Sequence, residues 1–260
     1  MKQYKAYLFD LDGTIYHGQQ PIPAAVAFIQ RLASLKIPYL FVTNNSTRSP
    51  EQVAQRLQAM NVPALATDIV TSSQATVHYL QTHNIGKQVY AIGQSGLTDE
   101  LAAAGYEQTL AQPDAVVIGL DPAVTYQELA HATQAIAAGA VFISTNPDKA
   151  VPLEGGLMPG NGALTAFVAT ATAQEPIFIG KPYPTLMALA LDRLQLSKEE
   201  VVMVGDNYLT DILVGINYGI DTLLTLTGYT QREDLAAVAA QPTYIVESLA
   251  DWAGVDETVN

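Results

Sequence analysis

Asp10 and Asp12, in the run Phe9-Asp10-Leu11-Asp12-Gly13-Thr14, are the first groups along this chain whose types and spacing can do chemistry. A carboxylate can attack phosphorus and form an aspartyl-phosphate, which divides a hydrolysis into two easier steps. A second carboxyl two residues on lies on the same side while the backbone stays extended. From there it can protonate a leaving oxygen and later deprotonate an attacking water. Gly13 permits a sharp turn after the pair and lets backbone N–H groups approach an anion. Far along the chain Asp206 and Asp211 add carboxylates, Thr43 a hydroxyl and Lys181 an ammonium. Asp10, Asp12, Asp206 and Asp211 gathered in a small volume are unfavourable without a cation. Oxygen ligands with no His or Cys beside them suit a hard divalent ion, most naturally Mg²⁺. Thr43 and Lys181 suit phosphoryl oxygens. The set describes phosphoryl transfer.

Groups so far apart meet only if the fold brings them together, and the sequence carries a pattern that can. Tyr7-Leu8-Phe9 runs into Asp10, Pro38–Val42 into Thr43, Ile177–Gly180 into Lys181, and Val201–Gly205 into Asp206. Each run is continuous rather than alternating, as in strands covered on both faces by helices. Between them, Ala24–Leu35, Pro50–Met60, Thr185–Leu194 and Asp234–Ala240 carry apolar residues at helical spacing. Short apolar runs alternating with helical patterns predict βαβ units and a mainly parallel sheet. In such sheets ligands bind beyond the carboxyl ends of the strands, where all four polar residues would sit.

Composition narrows the field. The chain has 260 residues, 49% of them hydrophobic and 14% charged, enough for a large core or two domains. Twelve Lys and Arg against 25 Asp and Glu give a net charge of −13, which argues against nucleic acid as a partner. With no Cys, thiolate metal cages and cysteine nucleophiles are excluded. The apolar run before Asp10 is too short for a signal peptide, and no stretch approaches the roughly 18 apolar residues of a spanning helix. A cytoplasmic protein with no membrane partner is expected.

Asp10-Leu11-Asp12-Gly13-Thr14, Thr43, Lys181 and Gly205-Asp206-Asn207 through Asp211 resemble, in order, the four motifs of the haloacid dehalogenase (HAD) superfamily. Phe41-Val42-Thr43-Asn44-Asn45-Ser46, Thr145-Asn146-Pro147-Asp148, Pro159-Gly160-Asn161-Gly162-Ala163 and Gly180-Lys181-Pro182 resemble its NagD and para-nitrophenylphosphatase branch. The resemblance implies an α/β fold: a Rossmann-like parallel-sheet core, residues 1–83 plus 176–260, with an inserted α/β cap, residues 84–175. It implies a Mg²⁺-dependent phosphomonoesterase acting on small phosphorylated metabolites such as sugar phosphates, nucleoside monophosphates and para-nitrophenyl phosphate. Asp10 would be nucleophile and metal ligand, and Asp12 the acid/base that also ligates through its backbone carbonyl. Asp206 would be a further ligand, with Asn207 and Asp211 behind it. Thr43, Asn44 and Lys181 would hold the phosphoryl group.

The insertion shows strand patterns at Gln88–Gly93, Ala115–Gly119 and Val141–Ser144, and helices at Leu97–Ala104 and Tyr126–Ala138, each closed by a Gly. Asn146 and Asp148, just after a strand, can select the leaving group or simply form a turn. The Gly155–Gly162 stretch reads as a loop. Gly160-Asn161-Gly162 lacks the last Gly of a dinucleotide fingerprint, and His17, His78, His83 and His131 have no metal-ligand spacing. Phosphoryl transfer to a sugar, or non-catalytic sugar-phosphate binding, remain open beside hydrolysis at this point.

Overall fold

The computed structural model describes residues 2–153 and 156–255. They form two compact units: residues 2–43, 50–70 and 181–255 make the first, and residues 44–49, 71–153 and 156–180 the second. The sequence pattern puts the crossings near 84 and 175. The Ser72–Thr82 helix, on the core side of that division, lies instead in the second unit. An amphipathic helix carries no mark of which sheet it serves.

The first unit is built on a six-stranded sheet. Its order is Tyr244–Val246, Asp221–Thr225, Val201–Gly205, Ala6–Phe9, Tyr39–Thr43 and Ile69–Thr71. Ala6–Phe9 pairs in parallel with Val201–Val204 on one side and with Tyr39–Phe41 on the other. Its four residues are all buried, so the continuous apolar pattern reports helices on both faces. Side chains still alternate across it. Tyr7 and Phe9 stack at 6.0 Å, and both meet Phe28 edge-on, at 5.5 and 6.1 Å. Phe28 comes from the Pro23–Ser34 helix, whose buried Ala25, Phe28, Ile29 and Leu32 follow the helical period. Each such large side chain contributes about 1.5–3 kcal/mol on full burial. The last described residues also close on this layer. Trp252 packs on Tyr244 at 4.9 Å, and the Tyr7 hydroxyl donates to the Gly254 carbonyl.

Three of the four apolar runs stand in this sheet; the fourth does not. Ile177–Phe178 pairs with Ile143 and Ser144 at the edge of the other sheet. That sheet is also parallel and five-stranded, in the order Ile177–Phe178, Val141–Ser144, Ala115–Ile118, Gln88–Ile92, Glu107–Gln108. The expected strand is real but joins the other sheet, because apolar runs feeding either sheet look alike. Lys181 nonetheless belongs to the first unit, as the residue after the crossing.

Two of the second unit's helices begin at side-chain caps. Thr71 accepts from the Gln74 N–H, with Gln74 returning the bond, and Thr125 and Glu128 repeat the exchange at Tyr126–Ala137. Gly156–Pro159 is not loop but a strand, paired antiparallel with Ala150–Leu153, and a helix starts at Asn161. Gly155 lies outside the described residues. Asp234–Ala240, expected as helix, is a 3₁₀ turn over Arg232–Ala237, too short to use an α-helical stripe. Among the described residues no helix is long and apolar enough to cross a membrane.

Candidate active site

At the carboxyl ends of the central strands, one oxygen from each of Asp10, Asp206 and Asp211 lies within 4.8 Å of the others. Asp10 follows Phe9, and its N–H still bonds the Val204 carbonyl of the adjacent strand at 2.9 Å. Asp206 follows Gly205, the last residue of its own strand. The chain then turns through Asn207, whose side chain accepts from the Leu209 N–H at 3.0 Å. A wide π-type turn over Tyr208–Ile212 brings Asp211 back, and its Oδ2 accepts from the Asn207 N–H. Asn207 thus shapes the return rather than reaching into the cluster.

Lys181, 2% exposed, sits among them. Its Nζ donates to Asp10 Oδ1 at 2.5 Å, Asp211 Oδ1 at 2.8 Å and the Val42 carbonyl at 3.0 Å. An ammonium has three donors, and these are three acceptors. Burial works against the Lys181 charge, but Asp10 and Asp211 outweigh it and raise its pKa. Burial, then the Asp211 charge, holds Asp10 well above the usual carboxylate range despite Lys181. The same two causes push Asp206 up to about 6. Thr43, next after Val42, is buried at the end of its strand.

The donor set fits a hard cation. Three carboxylates against one ammonium leave two negative charges in excess, which a divalent ion neutralises. Among the described residues no His takes part; His17 and His83 are exposed, and His83 stacks on Tyr79. Asp12 is not in the cluster either, against the expectation of four gathered carboxylates. The strand ends at Phe9, and the chain turns on the Leu11 carbonyl, which accepts from the Thr14 and Ile15 N–H groups. Strand alternation therefore does not extend to Asp12, and its side chain is exposed.

Some parts of the site escape a search for charged motifs. Asp206 is held by the Thr14 hydroxyl at 3.0 Å and the Tyr229 N–H at 2.7 Å. Gly13, at φ +90°, and Gly228 flank its carboxylate so closely that a Cβ on either would lie 2.3 or 2.0 Å from Asp206 Oδ2. The Thr227 hydroxyl ties the two loops by donating to the Gly13 carbonyl at 2.8 Å. The signal that could have found them is a fifth apolar run, Thr222–Leu226, ending in Thr227-Gly228. In a Gly228→Ala variant Asp206 must leave its place. Losing such a support costs roughly 10–100-fold in metal affinity. A metal titration of the rate checks this, and an unchanged midpoint refutes it.

In the second unit, Asn44 Nδ2 donates to both Asp148 oxygens, at 3.1 and 3.3 Å. Asn146 spends its amide on its neighbours: Nδ2 donates to the Asn44 carbonyl at 2.9 Å and to the Thr145 hydroxyl at 3.3 Å, and Oδ1 accepts from the Asp148 N–H at 3.1 Å. Those are the bonds of a structured turn.

A parallel sheet carrying carboxylates, an ammonium and a hydroxyl at its ligand-binding edge defines a phosphoryl-handling α/β enzyme. Comparisons with known proteins agree. A haloacid dehalogenase-like hydrolase family model matches residues 7–107, and a HAD-hydrolase-like model matches residues 178–252. An acid sugar phosphatase of Staphylococcus haemolyticus is 49% identical over 250 residues, covering 96% of this chain and 95% of its own. A single mutant of the thermostable NPPase from Geobacillus stearothermophilus superposes with a TM-score of 0.93 at 48% identity, covering 98% of this chain and 100% of its own. NagD from E. coli K-12 gives 0.92 at 31% identity, covering 97% and 100%. The chain belongs to the haloacid dehalogenase-like hydrolases. Within them it is a phosphatase of the NagD-like type.

Proposed function

We propose that this chain is a Mg²⁺-dependent phosphomonoesterase acting on small organic phosphates, sugar phosphates foremost, through a phospho-Asp10 intermediate. The observation that carries the reading is the convergence of Asp10, Asp206 and Asp211 around the Lys181 ammonium. The acid sugar phosphatase relative supports the substrate class.

Asp10, Asp206 and the Asp12 backbone carbonyl would hold the metal, with Asp211 bound to Lys181 and the Asn207 N–H behind them. When bound, Mg²⁺ neutralises charge on the phosphoryl oxygens and on the carboxylates around them. Lys181 favours the anionic form of Asp10 and orients it, and with Thr43 and Asn44 holds the phosphoryl group. Asp10 attacks phosphorus as the bond to the leaving oxygen breaks, and Asp12 gives that oxygen its proton. Asp12 then takes a proton from water, the water oxygen attacks phosphorus, and the bond to Asp10 breaks, releasing phosphate. An exposed Asp12 is suited to trading protons with both leaving group and water.

Asp12→Ala should slow both half-reactions by roughly 10²–10⁴-fold, the first of them less for a good leaving group such as para-nitrophenolate. Single-turnover kinetics checks this, and a wild-type rate in either step removes the acid/base role from that step. The reading as a whole is tested by phosphate release from a panel of phosphorylated metabolites, with and without Mg²⁺. Sugar phosphates and nucleoside monophosphates should lead the panel. Phosphoryl transfer to a sugar without free phosphate, or binding without turnover, overturns it.

A further inference from the structure

Of the four crossings between the units, two fall at Thr43–Asn44 and Gly180–Lys181, so two of the residues assigned to the phosphoryl group, Thr43 and Lys181, are covalent neighbours of residues in the second unit. Those two neighbours are packed together. A Cβ on Gly180 would lie 2.5 Å from Asn44 Oδ1, a space only glycine leaves open. The Gly180 N–H bonds the Thr145 carbonyl at 2.9 Å.

Asn44 is also fixed by a closed ring. Its Nδ2 donates to the Asp148 carboxylate, the Asp148 N–H donates to Asn146 Oδ1, and Asn146 Nδ2 donates to the Asn44 carbonyl. The Ser72 hydroxyl donates to the same carbonyl at 2.7 Å. Bonds to a carboxylate are stronger than neutral ones, and a ring leaves none of its three members free to rotate alone.

We infer that the Asn44–Asn146–Asp148 ring positions Thr43 and Lys181, and that Asp148 is a positioning residue for phosphate binding rather than a reader of the leaving group. Asp148 holds the Asn44 amide, Asn44 abuts Gly180, and the peptide bonds on either side set where the Thr43 hydroxyl and the Lys181 ammonium begin. A misplacement of such groups by about an ångström costs up to roughly 10²-fold. The inference rests on the proposed function only for the roles of Thr43 and Lys181.

The test separates phosphate from leaving group. Asp148→Ala should weaken orthophosphate binding, read by calorimetry in the presence of Mg²⁺. It should lower kcat/KM for para-nitrophenyl phosphate and for a sugar phosphate by the same factor, on the order of 10–100-fold. Asp148→Asn keeps one acceptor oxygen toward Asn44 Nδ2 and should recover most of the loss. Asn44→Ala, which also removes a group assigned to the phosphate, should lose at least as much, and the double variant should lose no more than Asn44→Ala alone. If Asp148→Ala does not fold, Asp148→Ser carries the same comparison. Losses confined to one leaving group with orthophosphate binding unchanged overturn the inference, as does additivity in the double variant. Absence of turnover in the unmodified chain removes the phosphatase reading instead, and leaves the orthophosphate comparison standing.

Discussion

Asp10→Asn abolishes turnover, with a loss of at least ~10³-fold, while the fold stays intact. The variant keeps the side chain's shape and its ability to accept a bond from Lys181, but an amide oxygen cannot form the phosphoenzyme. Stability provides an independent readout. The Asp10 pKa is raised above its unfolded value, first by burial and then by Asp211. A raised carboxyl favours the fold below pH about 4, and that contribution is lost as pH rises through the folded pKa. Without metal the fold therefore disfavours the ionised form of Asp10, a penalty that Asn does not meet. The metal-free variant should melt no lower than the wild-type chain at pH 7, and should gain less from added Mg²⁺. Residual activity within tenfold of wild type sinks the nucleophile assignment; a full-sized Mg²⁺ stabilisation sinks the ligand assignment.

Lys181→Met is expected to have the largest effect on stability. The ammonium is bonded to two carboxylates, and its removal leaves half-buried Asp10 and buried Asp211 without it. Removing one partner of a buried ion pair costs about 3–5 kcal/mol. The sign of the pH dependence follows from the same residues. With Lys181 gone, the already raised Asp10 rises further, beside an Asp206 already pushed up to about 6. The deficit should therefore be full above neutrality and shrink as pH falls toward 5, where these carboxyls take up protons. Melting curves from pH 5 to 8 check it. A deficit that grows on acidification refutes the account, because it would mean that Lys181 is not what keeps these carboxylates charged. Activity should be lost at every pH.

The parts of this molecule that are legible in its sequence share a cause. Ala6–Phe9, Tyr39–Thr43 and Val201–Gly205 are covered on both faces, so they read as unbroken apolar runs with a polar residue at the end. The side chains that carry charge, Asp10, Lys181, Asp206 and Asp211, announce themselves by type and order. What escapes notice has little or nothing to announce. Tyr229 serves Asp206 through a backbone N–H, and Gly228 through an absent Cβ. Ile177–Phe178 satisfies the strand pattern, but hydrophobicity says nothing of which sheet an edge strand joins. Asp12 is misplaced by extending strand geometry past Phe9, where a turn has already begun.

The placement of Ala6–Phe9 between Tyr39–Thr43 and Val201–Gly205 has a consequence for biosynthesis. The amino-terminal strand leaves the ribosome early, yet one of its two flanking neighbours is made only after about 190 further residues. At ~5–20 residues per second that is a wait on the order of 10–40 s. The second unit, whose larger part is one continuous stretch, can finish folding in that interval. The nascent chain thus acquires its carboxylate cluster only once Val201–Gly205 and the residues after it have been made, and a truncated product lacking Asp206 carries no assembled catalytic centre.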